Sequence, residues 1–544
     1  MASHSFEIER KYELKDPHAR LETIPWSFKN WQLSPAESHQ LEATYYDTAQ
    51  GDLAASKIAL RRRLGGSDQG WHVKFDEAGK RHELSFPLEK KDQNLPADLA
   101  ALLSLATGRC ALEPILTLST LRTRQILQGD RGQELAEICQ DQVRSFDYAR
   151  GQERKWQEWE VEILPGAQKD SALIQEVFSQ LEDQLQAAGL HPSKSPAKLA
   201  RALGQDLDFE ARLQAAEGAR QKKKGGKKKK KGQESSPQLP DALEALSSIL
   251  KLHTARLVRT DLLVRVGAPD STHQARVSAR QLRSILKYMV LPYARTQAQA
   301  QQIKEVLAGL KAYARQLEPH RNGELMLPMV EQALTLPCLQ EQLPSFRLLM
   351  GQQQEQALAQ AQAYLASDKP YDLHLALREV NDQLAELVDL PLNGENYLNK
   401  VAKRLRKSLQ KVGERALGSW PDSALAFSEG EVWDEGLHDV RKLAKAVRYC
   451  LTACAEAGLP LTEPQTNLLA RARAVQSTLG DLTDELTLQG WILEQRKRPE
   501  ACGLDGFALG YLLGRSQVYA VGLRLDLFTA LPKTLKKVSS LVLL

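Results

Sequence analysis

The sequence predicts a multidomain α+β protein: an N-terminal antiparallel β barrel with flanking helices, then an all-α helical bundle of two related halves. Three observations predict it. Short stretches in the first 205 residues alternate charged and apolar residues with the period of a strand; a lysine-rich run then divides the chain; and beyond about residue 240 the apolar period becomes helical, with one basic pattern written twice.

The first stretch, E-I-E-R-K, places Glu7, Glu9 and Lys11 on one face of an extended strand, and E-W-E-V-E places Glu158, Glu160 and Glu162 on one face of another. Between them Arg61 and Arg63, His72 and Lys74, Arg81 and Glu83, and Arg122 and Arg124 each stand two apart. The opposite faces carry Ile8, Leu60, Val73, Trp159 and Val161. A sheet packed on its outer side and closed around a polar lumen satisfies both faces. Like charges gathered inside a protein are costly unless they pair or coordinate something. The expected occupants are a polyanion on the Arg/Lys wall and divalent cations on the Glu wall, where all-oxygen ligands favour Mg²⁺ or Mn²⁺.

These motifs, with Y-Y-D-T at Tyr45 to Thr48, R-T-R at Arg122 to Arg124 and Lys194 in a late P-S-K segment, resemble the CYTH family, the triphosphate tunnel metalloenzymes. The resemblance covers about residues 1–205 and implies an eight-stranded tunnel that binds a triphosphate with divalent metal. It implies that Lys11, Arg61, Arg63, Lys74, Arg81, Arg122, Arg124 and Lys194 hold phosphate oxygens. Glu7, Glu9, Asp141, Glu158, Glu160 and Glu162 would hold metal, and Glu7, Lys11 and Glu162 would serve the chemistry. Where the family often carries an Asp-rich segment, this chain reads E-L-A-E-I-C-Q-D-Q-V, with Cys139 and Gln140 at positions that would suit acids.

A chain of 544 residues exceeds what one core usually sustains. After a helical run marked by Leu173, Val177, Leu181 and Leu185 and closed by Gly189, the composition shifts to K-K-K-G-G-K-K-K-K-K. Residues 206–239 are therefore expected to be a linker, its lysines repelling one another. The net charge of +5 depends on the eight lysines of that run; without them the chain sums to −3, so polyanion binding must be argued from local placement. Six cysteines show no C-x-x-C pair, and Cys450 and Cys454 share a helix face, as reduced thiols in a core do. No apolar run of membrane-spanning length and no basic-then-apolar leader is present, and a cytoplasmic protein without a membrane partner is expected.

The second domain is expected over residues 240–530, with 531–544 as a tail. One helix places His273, Arg276, Arg280, Arg283 and Lys287 at offsets 0, 3, 7, 10 and 14; a later one places His438, Arg441, Lys442, Lys445 and Arg448 at 0, 3, 4, 7 and 10. Each is a basic stripe headed by a histidine, mildly destabilising for a helix unless it meets an anion. The pattern H-x-x-R-V-x-x-R-x-L-R, with H-x-x-R-K in the second copy, resembles the CHAD family, the conserved-histidine α-helical domain. That resemblance implies a basic groove binding inorganic polyphosphate, with Lys403, Arg404, Arg406 and Lys407 of K-R-L-R-K as further contacts. L-G-D-L-T-D at Leu479 to Asp484 looks like the family's turn after a later helix, L-E-P-H-R-N-G at Leu317 to Gly323 like a degenerate counterpart, and Gln281 stands where a second Arg is common.

The resulting expectation is a metal-dependent triphosphatase splitting inorganic triphosphate into pyrophosphate and phosphate, joined to a polyphosphate-binding domain. The alternatives are a tunnel enzyme acting on a nucleoside or thiamine triphosphate, and a polyphosphate-binding protein without turnover. A nucleic-acid partner is disfavoured because few aromatics interleave with the basic residues to stack bases.

Overall fold

A computed structural model describes residues 3–14, 20–88, 94–193, 195, 197–204, 241–391, 393–420, 431–497 and 503–541. The chain divides into two compact units, Met1–Glu234 and Ser235–Leu544. The lysine-rich run and Lys194 lie outside the described residues.

The first unit is an antiparallel sheet of β1 (Ser3–Glu7), β2 (Glu9–Leu14), β3 (Gln32–Leu33), β4 (Glu37–Asp47), β5 (Ile58–Leu64), β6 (Gly70–Glu77), β7 (Lys80–Pro87), β8 (Glu113–Gln128), β9 (Glu134–Asp147), β10 (Gln152–Ile163) and β11 (Leu190–Pro192). Their order is β1-β7-β6-β5-β4-β8-β9-β10-β2-β11, with β3 beside β8. Since β1 and β2 are one extended segment interrupted at Ile8, the N-terminal strand pairs with β7 at one end and β10 at the other, and so closes the ring. Ile8 bridges the seam, its carbonyl accepting a hydrogen bond from Ile163 N at 2.8 Å. Counted that way the ring has eight long strands, the expected barrel, with β3 and β11 as short additions.

Alternation along the strands sends charge inward and apolar surface outward. Leu60, Val73, Trp159 and Val161 are buried on the outer side. Helix α1 (Ala97–Thr107) and helix α2 (Ser171–Ala187) flank the sheet; α2 starts where Asp170 accepts from the Ala172 and Leu173 amides, and its Val177, Phe178, Leu181 and Leu185 pack with Trp159, Val161 and Ile163 of β10. A short helix, α3 (Lys198–Ala202), follows β11.

The Y-Y-D-T motif serves the scaffold more than the lumen. Asp47 is buried and accepts hydrogen bonds from the amides of Thr48, Leu53 and Ala54 at 2.7, 2.8 and 3.0 Å, which fixes the turn leading into β5 and thus the register of Arg61 and Arg63.

The second unit is helical: α4 (Ala242–Arg265), α5 (Ser271–Ile285), α6 (Gln297–Gln316), α7 (Glu318–Ala333), α8 (Leu343–Ala366), α9 (Asp368–Asp382), α10 (Gly394–Gly418), α11 (Glu431–Glu456), α12 (Glu463–Arg496) and α13 (Gly506–Ser539), with shorter turns between. The pairs α4–α5 and α10–α11 correspond. Asp241 caps α4 and Asn393 caps α10, and these two caps also form an antiparallel bridge, so the halves begin side by side. Leu246 and Ile285 of the first half share one core with Val401, Val440 and Val447 of the second. Cys450 and Cys454 are free thiols in that core. No described helix is long and apolar enough to cross a membrane.

Two expectations are corrected here. L-G-D-L-T-D is no turn: Leu479 to Asp484 lie inside α12, because buried Leu479 and Leu482 keep the helical period through Gly480. The segment expected as a tail from residue 531 continues α13 to Ser539, held by buried Leu531, Leu535 and Val538. Residues 317–323 do contain a break, Leu317, after which α7 begins.

Replacing Asp47 by Ala leaves three amides without their acceptor, two of them on buried residues, and is expected to cost about 2–3 kcal/mol of stability. Chemical denaturation checks it: a change below about 0.5 kcal/mol would show that the turn holds itself.

Candidate functional site

The lumen of the barrel is a cavity of about 310 Å³. On one wall β5 contributes Arg61 and Arg63, β6 Lys74, β7 Arg81 and β8 Arg122 and Arg124, each in the same lining. Every one of them already faces a carboxylate. Lys74 pairs with Glu7 and, at 3.2 Å, with Glu83; Arg81 reaches Glu7 at 2.9 Å and Glu9 at 3.6 Å. Arg63 pairs with Asp68, Arg124 with Glu37 at 3.1 Å, and Arg61 lies 4.0 Å from Glu83. His72 anchors this wall, its Nδ1 2.7 Å from the Glu83 carboxylate and its Nε2 2.9 Å from the Asp68 carbonyl, both oxygens that accept. Burial would raise the Glu83 carboxyl, but His72, Lys74 and Arg61 outweigh it and hold it far below the usual range. Tyr45 also lines the lumen; burial opposes its ionisation, yet Arg61 draws its pKa down.

The acidic wall follows from strand register. Glu158 faces Asp141 across β9 and β10, Glu160 faces Cys139 on one side and Lys11 on the other, and Glu162 stands between Glu137 and Glu9. These rows differ in charge balance.

In the first row, Asp141, Glu158 and Glu160 each bring a carboxylate oxygen within 4.8 Å of the others, all buried. Their negative charge is met by the protein itself. The Lys198 ammonium lies 2.9, 2.7 and 2.7 Å from the three, Arg122 binds Asp141 in a fork at 2.8 and 2.7 Å and Glu160 at 2.7 Å, and Lys11 pairs with Glu160. Burial disfavours the charged forms, but the attraction is larger: Asp141 and Glu160 are held low and Lys198 well above its ordinary range. Lys198 was not among the residues singled out from sequence, which pointed to Lys194 in the same late segment. The first residue of a short helix carries no periodic signal, and only the fold brings it to the lumen.

The second row lacks that balance. Glu9 has Lys11 at 3.4 Å and Glu137 has Arg124 at 3.8 Å, but Glu162 makes no ion pair among the described residues. Burial first, then Glu7, Glu9 and Glu137, against the pull of Lys74, push its carboxyl up to about 7. Four carboxylates crowded together, one of them without an ion pair among the described residues, fit a divalent cation held by oxygen ligands. Glu7, Glu9 and Glu162 would hold the ion there, with Asp141, Glu158 and Glu160 able to join only if Lys198 withdraws.

In the helical unit, the two basic stripes face each other because α5 packs on α11. Arg276 is buried, with Glu318 at 2.6 Å; burial and Arg280 bring its pKa down to about 10. Lys445 is brought down to about 7 by burial and by Arg441, Arg280 and Arg448, with Asp484 opposing. Cations from both halves therefore repel one another across one surface, the signature of an anion site. Gly480 of α12 lies beside it, 3.7 Å from the Arg441 guanidinium measured from where a Cβ would stand, an ordinary contact distance. His273 and His438 head the stripes, both with pKa values lowered by burial and by neighbouring cations. Other expected members are turned elsewhere. Lys442 pairs with Asp439 at 3.3 Å, Arg404 lies 5.0 Å over the Tyr293 ring and donates to the Tyr288 carbonyl, and Arg406 donates to the Ser539 carbonyl. Lys287, Lys403 and Lys407 are exposed, and Arg283 is half-buried.

Residues 5–195 match the CYTH domain family and residues 248–493 the CHAD domain family. Two curated relatives, described as uncharacterized proteins of Mycobacterium tuberculosis strains CDC 1551 and H37Rv, are each 27% identical over 554 residues, spanning 98% of this chain and 97% of theirs. Among solved structures, the CHAD domain from the plant Ricinus communis is 21% identical over 58% of this chain and 99% of its own, with a TM-score of 0.42. PptA from Streptomyces chartreusis is 14% identical over 55% of this chain and 99% of its own, with a TM-score of 0.40.

Replacing Lys198 by Met removes the charge at the centre of three buried carboxylates and is expected to cost about 3–5 kcal/mol in metal-free buffer. Denaturation of wild type and variant with and without Mg²⁺ checks it; a variant as stable as wild type without metal would mean that Arg122 and Lys11 balance the cluster alone.

Proposed function

This chain joins a CYTH domain to a CHAD domain, and from that premise we propose that it is a metal-dependent inorganic triphosphatase whose helical domain binds inorganic polyphosphate. The observation that carries the reading is the lumen itself: a cavity of about 310 Å³ with a cationic wall opposite crowded carboxylates, among which Glu162 has no ion pair among the described residues.

Triphosphate entering the lumen exchanges with the carboxylates now paired to Arg61, Arg63, Lys74, Arg81, Arg122 and Arg124, so the wall loses no charge compensation when it binds. Bound Mg²⁺ or Mn²⁺ would supply further neutralisation of the phosphates. Lys11 and Lys198 lie beside the acidic wall and place positive charge where the terminal phosphate would meet it. Water attacks the terminal phosphorus, the bridging P–O bond breaks, and pyrophosphate departs with its electron pair. Glu162 or Glu7 accepts the proton of the attacking water. The free thiols Cys139, Cys450 and Cys454 accord with a reducing compartment, the cytoplasm.

Phosphate release from inorganic triphosphate, ATP and long-chain polyphosphate, assayed with Mg²⁺, with Mn²⁺ and with chelator, tests the catalytic half. Triphosphate should be the fastest substrate, chelator should abolish release, and Glu9→Ala should lower kcat by about 100-fold or more. Absence of release from all three substrates would leave a binding protein.

Polyphosphate binding should survive deletion of residues 222–231 and fail when Arg280 and Arg448 are both replaced by Ala. It should also tighten several-fold as pH falls from 8 to 6: Lys445, with a pKa near 7, gains its charge over that interval, and an anion favours the charged form. Titration calorimetry at both pH values decides this, and equal affinity in the Lys445→Met variant at both would confirm the residue responsible. Affinity unchanged by the double replacement would exclude this surface.

A further inference from the structure

We propose that the outer face of α13 pairs antiparallel with the same helix of a second copy of this chain, about a twofold axis near Ala520. Phe507, Val518, Tyr519 and Leu525 are 67, 75, 53 and 39% exposed, four of the exposed large apolar side chains on one helix. Phe507, Gly514, Val518 and Leu525 recur at spacings of seven, four and seven, so they line up within one narrow stripe. From Phe507 to Leu525 that stripe is about 27 Å long. Beside it a Cβ at Gly510, Gly514 or Gly522 would meet nothing within 4 Å, so the backbone is open to close approach.

The pattern is complementary to itself only in one orientation. Two antiparallel copies related at the level of Ala520 set Val518 against the gap at Gly522 of the second copy, and Leu525 against the gap at Gly514, each contact occurring twice. Along one flank of the stripe stand Arg515 and Asp526, both exposed and without an ion pair among the described residues. They lie eleven residues apart, five before and six after Ala520 on a flank that the twofold keeps on the same side, so each arginine comes within reach of the aspartate of the other copy. Parallel copies would put these flanks on opposite sides of the interface, with no arginine facing an aspartate of the other copy. A phospholipid surface would pair Arg515 with a headgroup phosphate but set the Asp526 carboxylate against the same phosphates.

Sedimentation velocity of the full chain from about 1 to 100 μM is the test, a range suited to an interface at the small end of stable ones. A reversible dimer is expected. Val518→Asp should raise its dissociation constant at least about tenfold. Arg515→Asp and Asp526→Arg should each weaken the dimer, and the two together should restore it. A monomer at every concentration would overturn the proposal, as would single charge reversals without effect. Binding to phosphatidylglycerol-containing vesicles by a chain that stays monomeric in solution would overturn it in favour of a lipid surface. Unchanged helical circular dichroism and melting temperature confirm that each variant is folded.

Discussion

Charge compensation inside the closed barrel is the constraint on which the first unit depends. Carboxylates facing a lumen shared with arginines and lysines are tolerable because almost every one has a cation within ion-pair distance, and the register of β2, β9 and β10 decides which. Lys198 completes the arrangement from outside the sheet, bringing one ammonium into contact with three carboxylates. What is left over is Glu162, which has no ion pair among the described residues and stands between Glu9 and Glu137. A barrel whose other lumen carboxylates are paired thus keeps one defined place for a cation.

The seam of the barrel gives the N-terminal pentapeptide its importance. Glu7 pairs in register with Arg81 of β7, whereas Glu9 and Lys11 pair with Glu162 and Glu160 of β10, because the strand changes partner at Ile8. Two carboxylates separated by one residue thereby reach both edges of the sheet at the point where it closes. Alternation supplies the common face; closure supplies the two sets of neighbours.

The helical unit presents the reverse imbalance. Arg280, Arg441, Lys445 and Arg448 face one another with fewer acids than cations, and burial together with that repulsion brings the Lys445 pKa down to about 7. The single-face stripe of each helix is costly alone and more so when two are packed together. Such a surface is relieved by a flexible anion that contacts many cations at once. Asp484 within reach of Arg441 and Lys445 moderates the repulsion without cancelling it.

Much of this was legible in the sequence, because strand and helix periods are local properties. The charged faces of β1, β2, β5–β8 and β10, the helix over Leu173 to Leu185 and the two basic stripes all follow from spacings of two, three and four. Lys198 was not legible, since a lysine at the start of a five-residue helix looks like any solvated lysine until β11 and α3 carry it to the lumen. Nor was the continuity of α12 through Gly480, where burial of Leu479 and Leu482 outweighs the glycine's weak helical preference. By itself, then, the sequence determined which residues share a face and hence the chemical character of each wall. Only tertiary structure decided which charge meets which, because pairing depends on cross-strand register, closure at Ile8 and the packing of α5 on α11, contacts between residues far apart in the chain.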